Sequence, residues 1–213
     1  MSRSVPALQF AINIRTGRRL DRHLPGVLGG MRTSGTEGGE RGGAAAITEL
    51  AEAVAALLDG RTIAAAESCT AGRVAAALAT AEGAAEFFRG GLVAYQVAVK
   101  QQLLGVSSPK VLNLRAAEEM ATGAAQLLGA PVAVATTGVA GGDPVDGVPP
   151  GTVFIGTVVD DVAASARHWF PGEPEEVCAA AAEQALRDLV AALQERTGDV
   201  RRPPEEAALI VQG

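Results

Sequence analysis

The sequence is short of the side chains on which many sites depend. Only two of its 213 residues are cysteines, Cys69 and Cys178, and only two are histidines, His23 and His168. Two thiols cannot staple a small secreted scaffold, and a structural zinc site would have to take every thiol and imidazole in the chain or lean on carboxylates, so no metal or other cofactor is expected and a reducing cytosol is the natural compartment. Aromatics make up 3% of the chain. Ala, Val and Leu must therefore fill the core, and elements must approach closely instead of wedging on rings. Lysine is scarcer still: Lys100 and Lys110 stand against 16 arginines. Because a guanidinium stays protonated at physiological pH, a lysine general base has to be one of those two. No run of 18 apolar residues and no apolar leader pattern is present, so neither a membrane span nor secretion is expected. Neither GxxxxGK[ST] nor a GxGxxG opening a long helix occurs, which removes two familiar nucleotide-binding readings.

What is present is apolar and unevenly charged. Hydrophobic residues are 48% of the chain and the formal net charge is -6. Residues 1–46 carry 7 Arg against 3 acids, whereas residues 47–196 carry 9 basic against 18 acidic side chains. The acidic body argues against a protein that grips nucleic acid nonspecifically, and leaves RNA or an acidic partner only for the basic extension. Within that extension a short LQFAINI segment reads as a strand, and the Gly, Ser, Thr and Arg content after Gly26 predicts disorder. The tail from Thr197 to Gly213 reads as irregular, which leaves one domain over 47–196.

Periodicity supplies the fold class. Apolar residues at helical spacing predict helices over 46–58, 68–80, 113–129 and 173–195, and the segment 89–105 passes from a Gly-punctuated strand into a helix. Short apolar runs predict buried strands over 62–67 and 130–138, and two runs flanking Asp160-Asp161 predict a hairpin. Strands alternating with helices and closed by a hairpin give a three-layer α/β/α domain around a mostly parallel mixed sheet.

Three places carry candidate chemistry. Glu67-Ser68-Cys69-Thr70 lies where a buried strand hands over to a helix, so backbone N–H groups face an anion or a developing oxyanion there. Ser68 reads either as a nucleophile or, with Thr70, as a helix cap, and Cys69 as a reactive thiol or an inert buried one. His168 sits in an alternating strand and makes a poor base for Ser68. Lys100 follows Tyr95 by five residues at a second strand-to-helix junction, so an amine and a phenol can share a pocket, or else stand as a helix surface lysine and a half-buried ring. The third place is Thr136-Thr137-Gly138-Val139-Ala140-Gly141-Gly142-Asp143, directly after a buried strand. It is either a connector or a cradle for phosphate or ribose.

Together AESCTAG, GGLVAYQVAVKQQLLGV, TTGVAGGD, PPGTVFIG and HWFPG resemble the competence-damage-inducible protein family, specifically its stand-alone C-terminal domain, a nicotinamide-nucleotide amidase, over roughly residues 47–196. The resemblance implies a cytoplasmic bacterial enzyme of pyridine-nucleotide salvage, commonly a homodimer, that hydrolyses the carboxamide of nicotinamide mononucleotide to nicotinate mononucleotide and ammonia. Residue by residue it implies Ser68 as nucleophile, with Lys100 and Tyr95 beside it as the base system. Cys69 and Thr70 would offer oxyanion donors, Thr137 is the hydroxyl residue of the family's S/T-G-x-A-G motif, and Gly138, Gly141 and Gly142 belong to the loop that would anchor phosphate or ribose. The chain departs from the family pattern in having Tyr95-Gln96-Val97 where Tyr-Ser-Asn is usual and Ala116-Ala117-Glu118 where Ala-Val-Ser-Glu is, and at Pro174 and Cys178, where arginines are. Loss of those arginines removes charge-assisted phosphate contacts, for which Arg73, Arg89 or Arg167 are the available substitutes. The alternative expectation is a homologue that binds a nucleotide-like ligand or a protein partner without turnover.

Overall fold

A computed structural model describes the backbone of residues 37–200 and the side chains of residues 45–196. The strand expected at LQFAINI and the tail beyond residue 200 lie outside the described residues, as does the expected disorder up to residue 36. Eleven elements follow in order: α1 (Glu37–Leu57), β1 (Ile63–Glu67), α2 (Arg73–Thr80), α3 (Ala84–Phe87), β2 (Phe88–Val93), α4 (Val97–Leu104), α5 (Leu114–Leu128), β3 (Val132–Gly138), β4 (Thr152–Val159), β5 (Val162–Trp169) and α6 (Pro174–Val200). The helices α1 and α6 run past the limits of 47 and 196 expected from composition: residues 37–46, expected to be disordered, and residues 197–200, expected to be irregular, are helical, because a helix nucleated by packed turns gains a hydrogen bond with each added residue. No helix among the described residues is long and apolar enough to cross a membrane.

The five strands form one mixed sheet in the order β2-β1-β3-β4-β5, parallel from β2 to β3 and antiparallel from β3 to β5. The expected α/β architecture and hairpin are both there. Asp160 and Asp161 form the two-residue hairpin loop, with φ of 50° and 68°, the paired left-handed conformation that suits the twist of the flanking strands. One face of the sheet is covered by α1, α2 and α6, where Val54, Leu58, Leu78, Leu186, Leu189 and Leu193 meet Ile63, Val134 and Ile155. The other is covered by α4 and α5, where Leu104, Met120 and Ala124 meet Ala64, Ala66 and Ala135.

Close approach replaces ring packing, as the shortage of aromatics requires. Every residue of β1, Ile63–Glu67, is buried. A Cβ placed on Gly156 of β4 would lie 2.2 Å from the Ala117 carbonyl oxygen of α5, so helix and strand touch backbone to backbone. Ala117, one of the departures from the family pattern, is fully buried in that contact.

The chain leaves β1 for α2 on one face and leaves β2 for α4 on the opposite face. That divergence opens a crevice at the carboxyl ends of the parallel strands, the usual ligand position in open α/β sheets.

Candidate active site

The crevice is a cavity of about 510 Å³, and its lining includes Ser68, Cys69, Tyr95, Lys100, Gly138 and Gly141. Three chain segments thus bring together most of the residues singled out from the sequence. Ser68 ends the strand ladder: its N–H donates to the Thr136 carbonyl at 3.0 Å, and the residue is 7% exposed. Lys100 is buried, at 2% exposure, and is no surface lysine. Its Nζ donates to the main-chain carbonyl of Tyr95 at 2.8 Å. Burial pushes its ammonium below the ordinary lysine range, with the Cys69 sulfur acting weakly in the opposite direction. A lysine so placed is disposed to lose its proton.

Tyr95 meets Lys100 through its backbone; its ring stays 72% exposed at the cavity, rather than half-buried. Burial likewise pushes the Cys69 thiol up to about 12, so Cys69 is the inert alternative rather than a reactive one. Cys178 donates its S–H to the Cys69 carbonyl at 2.8 Å, and burial raises its pKa as well.

The turn after Ser68 is fixed by a residue the sequence reading passed over. Neither Ser68 nor Thr70 caps α2; Gly72 stands at that position with φ 100° and no side-chain cap. The carboxylate of Glu67, 1% exposed, reaches forward instead. One oxygen accepts from Thr70 Oγ1 at 2.6 Å, Gly72 N at 2.9 Å and Val74 N at 3.2 Å, and the other from Ala75 N at 2.8 Å. Thr70 Oγ1 also pairs with Thr136 Oγ1 at 2.7 Å. Glu67 therefore caps α2 from the strand end, where its charge opposes the positive end of the helix dipole. With Ala71 held at φ 52°, the turn has one shape.

Other expectations are redistributed by the strand alternation. Thr136 and Thr137 point to opposite faces: the Thr137 hydroxyl is buried and donates to the Val111 carbonyl at 3.1 Å, so it does not line the cavity. Thr70 is buried behind it, and Gly142 lies outside the lining. Gly141 packs on the first residue of α6, where a Cβ would lie 2.4 Å from Pro174 Cγ. Among the departures from the family pattern, Val97, Pro174 and Cys178 line the cavity and Gln96 does not. Of the three substitute arginines only Arg73 lines it; Arg89 and Arg167 are exposed on β2 and β5. His168 instead pairs with Asp188 Oδ2 at 2.8 Å, between β5 and α6.

This geometry has relatives. The model of the CinA C-terminal domain matches residues 47–193. The chain belongs to the CinA C-terminal domain family. Two CinA-like proteins show its reach: one from Mycolicibacterium vanbaalenii is 47% identical over 115 residues, which is 52% of this chain and 26% of that protein, and one from Rippkaea orientalis is 43% identical over 103 residues, 46% of this chain and 25% of that protein. The chain thus spans about a quarter to a third of the length of the curated relatives it matches. Crystal structures of CinA superfamily proteins share the fold. That from Escherichia coli is 32% identical with a TM-score of 0.66, covering 68% of this chain and 90% of its own. That from Enterobacter cloacae is 28% identical with a TM-score of 0.67, covering 79% and 99%.

Proposed function

We propose that this CinA domain is an amidohydrolase that converts nicotinamide mononucleotide to nicotinate mononucleotide and ammonia. The observation that carries the reading is a serine and a buried lysine of lowered pKa on one cavity, with a rigid turn of backbone N–H groups beside the serine. Neutral Lys100 takes the Ser68 hydroxyl proton as Oγ bonds to the amide carbon and the carbonyl electrons move onto oxygen. The Ala71, Gly72 and Arg73 amides are committed to Ser68 O, Glu67 and Thr70 O, so the amides of Cys69 and Thr70 are the donors for the oxyanion. The C–N bond then breaks, and the departing nitrogen leaves as ammonia with the proton held by Lys100. Water next gives a proton to Lys100 as its oxygen attacks the acyl carbon, and Ser68 Oγ recovers that proton as the acid departs. The exposed Tyr95 ring offers an apolar face on which a pyridine ring stacks. The 138–142 loop is the remaining wall, positioned for ribose or phosphate.

A second reading rests on Val97, Pro174 and Cys178, which give the cavity apolar lining: a homologue that binds a nucleotide-like ligand, or a protein partner, without hydrolysis. The two diverge in acid-quenched turnover samples. The amidase gives a nicotinate mononucleotide acyl mass increment on the peptide bearing Ser68, absent in S68A. Saturable binding with no adduct and no ammonia favours the second reading.

A further inference from the structure

Two cations line the cavity, Lys100 and Arg73, and one of them is already spoken for. Lys100 is buried and committed to the Tyr95 carbonyl. Arg73 opens α2, its side chain 31% exposed. One guanidinium nitrogen donates to the Thr70 carbonyl at 3.2 Å, and another is paired with Glu175. Glu175 lies in the first turn of α6 with its side chain 81% exposed. The two α6 residues beside it that reach the cavity, Pro174 and Cys178, bring no charge. An anionic group on a ligand in this cavity therefore finds one available guanidinium, and finds it held by an exposed carboxylate. Such an ion pair is weak because water screens both partners, whereas a phosphate offers arginine a charge-assisted, bidentate match.

We propose that Arg73 is the specificity-determining residue for the anionic end of the substrate, and that Glu175 is an internal competitor which that anion displaces. The inference rests on the nucleotide reading above, and its test separates the two. Nicotinamide mononucleotide and nicotinamide riboside differ by the phosphate alone and serve as the probes, titrated calorimetrically into the full-length chain with ammonia followed in parallel. Arg73→Ala is expected to weaken mononucleotide binding by about tenfold to a hundredfold while riboside changes less than about twofold. Glu175→Gln, which a folding defect cannot imitate, is expected to tighten mononucleotide by about two- to fivefold and to leave riboside unchanged. Equal losses for both probes in R73A, no tightening in E175Q, or binding of neither probe overturns the inference. The predicted pattern without ammonia release upholds the anion contact and defeats the amidase. Ammonia release with mononucleotide affinity unaffected in R73A and E175Q does the reverse.

Discussion

Replacing Glu67 with glutamine tests how the nucleophile turn is held. The carboxylate accepts four hydrogen bonds in a place with 1% exposure. A glutamine that keeps its carbonyl on the three-bond side satisfies Thr70, Gly72 and Val74, but points its amino group at the Ala75 N–H, which now has no acceptor. Loss of one charge-assisted bond and one stranded donor costs about 2–4 kcal/mol, short of the 5–15 kcal/mol typical of a whole domain. The variant is therefore expected to fold and to melt roughly 4–16 °C lower. The amides of Cys69 and Thr70 ride on that turn, and displacements on the ångström scale cost about a hundredfold in rate. Ammonia release by E67Q should fall in kcat by about 10–100-fold, with KM changed by less than about twofold. A melting temperature within about 1 °C of wild type together with an unchanged kcat would refute the view that Glu67 sets this turn.

Lys100 ties activity and stability to pH. Burial lowers its pKa in the fold below the ordinary 10.5, so between the two values the unfolded chain binds more protons than the folded one and stability rises with pH. The penalty is full below the folded pKa and is relieved as pH climbs through the unfolded value. A pH series of urea midpoints should show wild type gaining stability relative to K100M as pH rises toward the ordinary 10.5 of a lysine and no further gain beyond it; a difference between the two proteins that does not change with pH contradicts this. Wild-type kcat/KM should rise with pH and level off below the usual lysine range, whereas a fall across that range speaks against a lysine base. Gly156→Ala sets a Cβ against the Ala117 carbonyl and should cost about 1–3 kcal/mol in a denaturant titration; an unchanged midpoint would show that α5 does not sit so close. With its thiol pushed up to about 12, Cys69 should resist iodoacetamide at pH 8 until the chain is denatured, while the less buried Cys178 is labelled first in peptide mass analysis; the reverse order is the disproof.

Strands and helices were legible because each announces itself locally. The apolar runs at 62–67 and 130–138 became β1 and β3, the alternation around Asp160-Asp161 became the hairpin, and the helical periodicity before residues 58, 105 and 129 became α1, α4 and α5, the last two closed by Gly105 and Gly129 at positive φ. The resemblance brought Ser68, Tyr95 and Lys100 to one cavity, which periodicity alone could not. What stayed hidden depends on contacts between distant segments. Helix-cap reasoning looks immediately before the first turn, and there it found Ser68 and Thr70; the cap comes from Glu67, through a backward-folded turn with Ala71 and Gly72 at positive φ. Lys100 reads as a surface residue until α4 is laid on the sheet. Arg73 and Glu175, 102 positions apart, carry no local mark of their pairing. The expected binding loop begins with Thr136 and Thr137, but both belong to β3, and strand alternation sends Thr137 to Val111 and Thr136 to Thr70.

The central claim is that Ser68, activated by Lys100, cleaves a pyridine-nucleotide carboxamide. The most direct measurement is ammonia and nicotinate mononucleotide release by the purified full-length chain supplied with nicotinamide mononucleotide, beside S68A and K100M. One ammonia per nicotinate mononucleotide is predicted from wild type, with rates at least about 10³-fold lower in both variants. No ammonia from the wild-type protein, or undiminished release by S68A, would contradict the account.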